Sequence, residues 1–247
     1  MLRAYLDGEL FAERVGEGVP RLVGLHGWAR SGADLLGVLE GQDALAPDLP
    51  GFGSTPAPAV PWGAHDYAHV VARLIEAEVP SGAVVVGHSF GGRVAVCLAA
   101  ERPELVRALV LTGVPLLRRP GTPPPAPGGS GLVRPLPRSG LLGDAAMGGA
   151  RSRHGSADYR AATGVMRDTL VRLVNESYED ELGRLTCPVE LVWGSADTAA
   201  PLWIASEAAD LVTDAHLTVI DGANHDDPLR HPHELRDAVA RRLSPTP

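Results

Sequence analysis

The chain predicts an α/β fold in which a mostly parallel sheet carries helices on both faces. Three observations point there. Short β-branched runs such as "RLVGLHG", "AVVVGHS" and "RALVLTG" are apolar almost throughout, as strands buried on both faces must be. Between them lie segments with apolar residues at helical spacing, and parallel strands need crossovers of that kind. The 247 residues suffice for one such domain, spanning residues 1–247, with a substantial core.

Each element follows from its local pattern. "LRAYLDGELFAERVG" predicts a hairpin of two short strands around Asp7–Gly8, a favoured tight-turn pair. "RLVGLHG" ends as a strand at Gly27, and "ADLLGVLEG" follows with helical spacing. "DALAPDLPGFG" is a strand entering a Gly/Pro turn. "HDYAHVVARLIEAEV" then places Val70, Val71, Leu74 and Ile75 on one helical face. "AVVVGHS" is a buried strand, "GGRVAVCLAAERP" a helix stopped by Pro103, and "RALVLTG" another buried strand. The alternation resumes late in the chain with "CPVELVWGSAD", "HLTVIDGANH" and the final helix "HELRDAVARRL".

Between the two blocks the rhythm breaks. From Val114 to Gly140 proline and glycine crowd the chain, fixing φ and removing amide donors, so neither a strand nor a long helix is expected there. "ADYRAATGVMRDTLVRLV" follows with Ala162, Val165, Met166, Thr169, Leu170 and Leu173 at helical spacing and Asp158 as a candidate N-cap. We read residues 114–182 as an insertion whose helix lays its apolar face on the sheet it interrupts. A disordered linker between domains is the alternative for the Pro/Gly stretch.

Composition excludes several chemistries. The net charge of −8 argues against a nucleic-acid partner, since phosphate binding needs a concentrated basic surface. All 22 basic residues are arginine, so Schiff-base chemistry and a phosphate-loop lysine are ruled out. Cys97 and Cys187 sit in apolar contexts and read as buried small hydrophobes rather than a disulfide or a nucleophile. No apolar run approaches the roughly 20 residues needed to span a bilayer. A cytoplasmic protein with no membrane association is expected.

The stretch "VVVGHSFGGRVAV" carries the chemistry. A serine hydroxyl becomes nucleophilic only when a base takes its proton, and it must stand clear of the sheet to meet a substrate. A sharp strand-to-helix turn does this, and its crowding demands small residues two before and two after, here Gly87 and Gly91 around Ser89. Gly92 permits close helix packing. The turn also leaves the amide of Phe90 at a helix start, facing whatever Ser89 attacks.

The remaining parts are expected past strand ends at the same edge, in the order serine, acid, histidine. "VWGSADTAAP" supplies Asp197 and "VIDGANHDDP" supplies His225. In this reading His225 accepts the Ser89 proton and Asp197 holds its tautomer and charged form. Asp226 and Asp227 form turns, Asp210 and Asp214 belong to a helical segment and its turn, and His231 and His233 are solvated groups at the last helix. The loop "TGVPLLRR", another possible source of the acid, contains no carboxylate. "HDDPLRHPH" lacks metal-ligand spacing, so no metal is expected. A second oxyanion donor is expected from the Trp28 amide in "GLHGWARSG", with His26 organising the loop. His88 is read as structural, its side chain turned away by the elbow.

"HGW", "DLPGFGST", "GHSFGG", "GSADTAAP" and "GANHDDPLRHP" resemble the α/β-hydrolase superfamily, in particular its single-domain members with a helical cap after the sixth strand. The resemblance spans nearly the whole chain. It implies an eight-stranded, mostly parallel sheet, a Ser89–His225–Asp197 triad, an oxyanion hole from the Trp28 and Phe90 amides, and no cofactor. "HGW" is similar to carboxylesterases that demethylate pimeloyl-carrier-protein esters. A small-molecule ester is expected as substrate. Serine at position 89 departs from the similar epoxide hydrolases and haloalkane dehalogenases, which carry aspartate there. The Pro/Gly stretch also departs from the family's helical cap. The 4% aromatic content predicts a pocket walled by Leu, Val, Met and Ala. Two alternatives stand beside a carboxylesterase: a carbon–carbon bond hydrolase, for which Arg118, Arg119, Arg134 and Arg138 are candidate anion contacts, and a hydrolase-like ligand receptor with little turnover.

Overall fold

The computed structural model describes residues 1–118 and 161–244. Its strands are β1 (Leu2–Tyr5), β2 (Leu10–Val15), β3 (Leu22–Leu25), β4 (Ala44–Asp48), β5 (Ala83–His88), β6 (Val106–Thr112), β7 (Val189–Gly194) and β8 (Ala215–Ile220). They form one eight-stranded sheet in the spatial order β1-β2-β4-β3-β5-β6-β7-β8. β2 pairs antiparallel with β1 and with β4, while every other neighbouring pair is parallel. The registers Leu25↔Gly87, His88↔Thr112 and Gly194↔Ile220 bring the carboxyl ends of β3, β5, β6, β7 and β8 to one edge.

The helices are α1 (Leu36–Leu39), α2 (Ala64–Glu78), α3 (Phe90–Glu101), α4 (Gly164–Leu173), α5 (Glu179–Gly183), α6 (Leu202–Leu211), α7 (Asp227–Arg230) and α8 (His233–Leu243). Alternate residues of each buried strand feed two cores. Val85, Leu109, Leu111, Leu191 and Trp193 pack with α2, α3 and α6. Val84, Val86, Val110 and Val192 pack with α1 and α8. This two-sided burial is why the strands read as unbroken apolar runs.

Two elements differ from expectation in detail. The β1–β2 connection is a short 3₁₀ turn in which Leu6, Asp7 and Gly8 all have positive φ, so it is longer than a two-residue Asp-Gly turn. "ADLLGVLEG" forms a 3₁₀ turn, Gly32–Leu35, running into the single turn of α1.

The chain leaves the sheet after β6 and returns at β7. Of this insertion the Pro/Gly stretch beyond Arg118, with Arg119, Arg134, Arg138 and Asp158, lies outside the described residues; α4 itself starts only at Gly164 with Thr163 in the N-cap position, so Asp158 does not cap it and Ala162 lies before it. α4 buries Thr169 and Leu173 of the expected face, and Leu173 joins the core that packs α2, α3 and α6 on the sheet. The Trp62 amide donates to Thr169 Oγ1 at 3.1 Å, the Met166 thioether abuts Gly51, and Arg93 donates to the Leu173 carbonyl at 2.8 Å. These contacts tie α4 to the loops at Gly51 and Trp62 and to the first turn of α3.

Candidate active site

The turn at the end of β5 has the elbow geometry. Ser89 takes φ +50°, ψ −112°, a conformation disfavoured for any residue with a side chain, and its amide donates to the Thr112 carbonyl of β6 at 3.0 Å. Close backbone approach explains the flanking glycines. A Cβ on Gly87 would lie 2.6 Å from the Gly92 Cα, and one on Gly91 would overlap the Leu25 carbonyl of β3. α3 starts at Phe90, so that amide has no partner within the helix. Neither it nor the Trp28 amide donates a hydrogen bond to any group among the described residues.

Asp197 lies in the loop after β7 with its side chain 1% exposed. Its Oδ1 accepts from the amides of Ala199 (2.7 Å) and Ala200 (2.8 Å), and its Oδ2 accepts from His225 Nδ1 at 2.8 Å. Burial alone would raise the carboxyl pKa. The hydrogen bond from His225 and those from the two amides outweigh it, so Asp197 is held below the ordinary carboxylate range. The bond to Asp197 commits the proton of neutral His225 to Nδ1 and leaves Nε2 as the acceptor. The loops after β7 and β8 are stitched together by Ala196 N to Ala223 O (3.0 Å) and Gly222 N to Ser195 Oγ (2.8 Å).

Gly113, the residue after β6, explains how the imidazole reaches the site. Its φ is +60°, and a Cβ there would lie 2.9 Å from the His225 ring and 3.4 Å from the Asp197 carboxylate. Because His88 pairs with Thr112, Gly113 and Ser89 are the neighbouring residues just past the ends of β5 and β6. The His225 ring and the Asp197 carboxylate thus pack against Gly113, the neighbour of Ser89 across the ends of β5 and β6.

The loop carrying Trp28 is organised by His26, which donates from Nδ1 to the Gly27 carbonyl (2.7 Å) and accepts the Leu49 amide on Nε2 (2.9 Å). Burial holds its pKa low and keeps it neutral. Asp48, also buried, accepts the amides of Gly32 and Ser54, each at 2.8 Å. A Cβ on Gly27 would lie 3.7 Å from the Ser89 Cβ, so this loop and the elbow touch.

Two side-chain arrangements near Ser89 stand out. The aromatic residues are few but concentrated: Trp28, Phe52 and Phe90 meet with ring centroids 4.8 to 5.9 Å apart, beside both proposed oxyanion amides. Overall composition carries no information about such clustering. His88 is also not turned away from the histidine loop. Its ring lies 4.9 Å from that of His225, and its Nε2 faces the His225 carbonyl at 3.4 Å. Burial, and then the neighbouring His225, push its pKa down to about 3, so it is neutral.

The other residues fall where the sequence puts them. Asp227 accepts the Asn224 amide at 2.7 Å in a turn. Asp210, Asp214, His231 and His233 are exposed, and Cys97 and Cys187 are buried free thiols. His88, His225 and Asp226 bring ligand-type atoms within 4.8 Å of one another, but Asp226 is already paired with Arg30 at 2.6 Å and His225 with Asp197. Among the described residues, no helix is long and apolar enough to cross a membrane.

Residues 22–238 match the model of the alpha/beta hydrolase family. The chain belongs to that family. This alpha/beta hydrolase is 31% identical over 245 residues, 87% of its own length and 94% of the relative's, to the pimeloyl-[acyl-carrier protein] methyl ester esterase of Aromatoleum aromaticum. It is 29% identical to the protein of the same name from Chromobacterium violaceum, over 95% of this chain and 98% of that one. Among solved structures, the esterase from Exiguobacterium antarcticum superposes with a TM-score of 0.73 at 18% identity, covering 98% and 99% of the two chains, and so shares the fold.

Proposed function

We propose that this alpha/beta hydrolase cleaves a carboxylic ester through a covalent acyl-enzyme. The observation that carries the reading is the 2.8 Å bond from His225 Nδ1 to Asp197, made beside a serine held at the start of α3. Ser89 Oγ attacks the ester carbonyl carbon and its proton passes to His225 Nε2. The amides of Trp28 and Phe90 stabilise the resulting oxyanion, and buried Asp197 favours the imidazolium. Collapse expels the alcohol, protonated by His225. Water then attacks the acyl carbonyl carbon as His225 Nε2 takes its proton, and the second intermediate collapses by breaking the acyl–Oγ bond, with His225 returning that proton to Ser89 Oγ and the acid released. Every proton and electron pair is handled by residues of the chain.

The names of the two full-length relatives favour a small alcohol such as methanol as the leaving group. The aromatic side chains of Trp28, Phe52 and Phe90 would give the substrate an apolar wall. For a carbon–carbon bond hydrolase, Arg118 is the candidate anion contact within the described residues, and it donates to the Val174 carbonyl at 3.3 Å.

Hydrolysis of p-nitrophenyl butyrate tests the reading. Ser89→Ala is expected to lower kcat by about 10⁴-fold or more, with an unchanged circular dichroism spectrum. Unchanged turnover would overturn the assignment. Faster cleavage of a dienoic keto acid than of any ester would replace the substrate class.

A further inference from the structure

The loop carrying His225 is gripped by side chains from the other two proposed catalytic segments, and Asp226 is where they meet. Arg30, two residues after Trp28, donates from Nη2 to Asp226 Oδ2 at 2.6 Å and from Nη1 to Asp34 at 2.9 Å. His88, the residue before Ser89, sets its Nε2 3.9 Å from Asp226 Oδ1 and 3.4 Å from the His225 carbonyl. Arg230 also lies 3.8 Å from Asp226 and is 67% exposed. Between Trp28 and Arg30, Ala29 has φ +56°, a left-handed conformation that needs support from its surroundings.

We propose that Asp226 and Arg30 are positioning residues: their ion pair locks the oxyanion loop to the histidine loop, across the buried edge of His88, and so fixes His225 relative to Ser89 and the Trp28 amide. The inference rests on the serine-hydrolase reading above. Its physical basis is that proton transfer and oxyanion stabilisation fall steeply with sub-ångström misplacement, whereas binding of an apolar ester does not. Neither residue touches the reacting atoms. A partly exposed ion pair of this kind adds little to global stability, so the pair should act on catalysis.

The test uses Arg30→Met, Asp226→Asn and the double variant, with Arg230→Met as the charge control and Ser89→Ala alongside. The readouts are kcat and KM on p-nitrophenyl butyrate and the thermal midpoint. Each single variant is expected to lose about 10-fold in kcat with KM within twofold and the midpoint nearly unchanged. The double variant should be no worse than either single, Arg30→Lys should recover part of the loss, and Arg230→Met should match wild type. Wild-type kcat in Arg30→Met, or losses that multiply in the double variant, would overturn the lock while an inactive Ser89→Ala leaves the nucleophile standing. Turnover that survives Ser89→Ala would overturn the nucleophile and the lock with it.

Discussion

The elbow after β5 and the histidine loop after β8 meet at one edge of the sheet, yet they are built by opposite means. At the elbow the backbone does everything. Gly87 and Gly91 let β5, β3 and α3 approach more closely than any side chain would permit, and Ser89 is held in a strained conformation by the packing around it. The histidine loop is held by side chains: Asp197 on the imidazole, Asp227 on the Asn224 amide, Arg30 on Asp226. A backbone device fails when a single methyl is added, whereas a side-chain device can be loosened in steps.

That contrast sets the expected effects of mutation. Gly91→Ala should do the most damage, because the added methyl would meet the carbonyls of Leu25 and His26, which are backbone and cannot move aside. We expect a loss of about 3 kcal/mol or more, read as a thermal midpoint lower by roughly 10 °C. A wild-type midpoint would show that the elbow is not close-packed.

His88 joins the two regions and has a pH signature. Folded, it stays neutral down to about pH 3, while in the unfolded chain it binds a proton near pH 6.5. Between those values the unfolded state holds more protons, so stability falls as pH drops from about 6.5 towards 3, by up to about 1.4 kcal/mol per pH unit. Buried His26 acts in the same direction. Urea denaturation at pH 7, 6 and 5 should therefore show a shallower loss in His88→Gln than in wild type. Identical slopes would mean that His88 titrates normally.

The smallest effect should be a gain. Ser89→Gly removes the cost of a disfavoured backbone conformation, of order 1 kcal/mol, and should raise the thermal midpoint by roughly 2–4 °C while abolishing hydrolysis. A lower midpoint would mean that Ser89 is not strained.

Legibility in the sequence follows the same division. The elbow was readable because its requirements are local, Gly87, Ser89 and Gly91 lying within five residues of one another. The strands and main helices were readable because burial on two faces leaves unbroken apolar runs, and because Asp197 and His225 stand just past strand ends. What depended on contacts distant in sequence was not readable. Arg30 and Asp226 are separated by 196 positions and look like two surface charges until the fold brings them together. The place of His88 against His225, the aromatic cluster at Trp28, Phe52 and Phe90, and the seat of α4 on Trp62 and Arg93 are of the same kind. Gly113 left a faint trace. The absence of a carboxylate after β6 pointed to Asp197, but not to the glycine's role in giving the imidazole room.

The central claim is that Ser89 becomes nucleophilic through His225. Labelling with a fluorophosphonate and mapping the adduct by tandem mass spectrometry, in wild type and in His225→Ala, tests it most directly. The account predicts one adduct, on Ser89, whose rate of formation collapses when His225 is removed. An adduct on another residue, or undiminished labelling of Ser89 in His225→Ala, would contradict it.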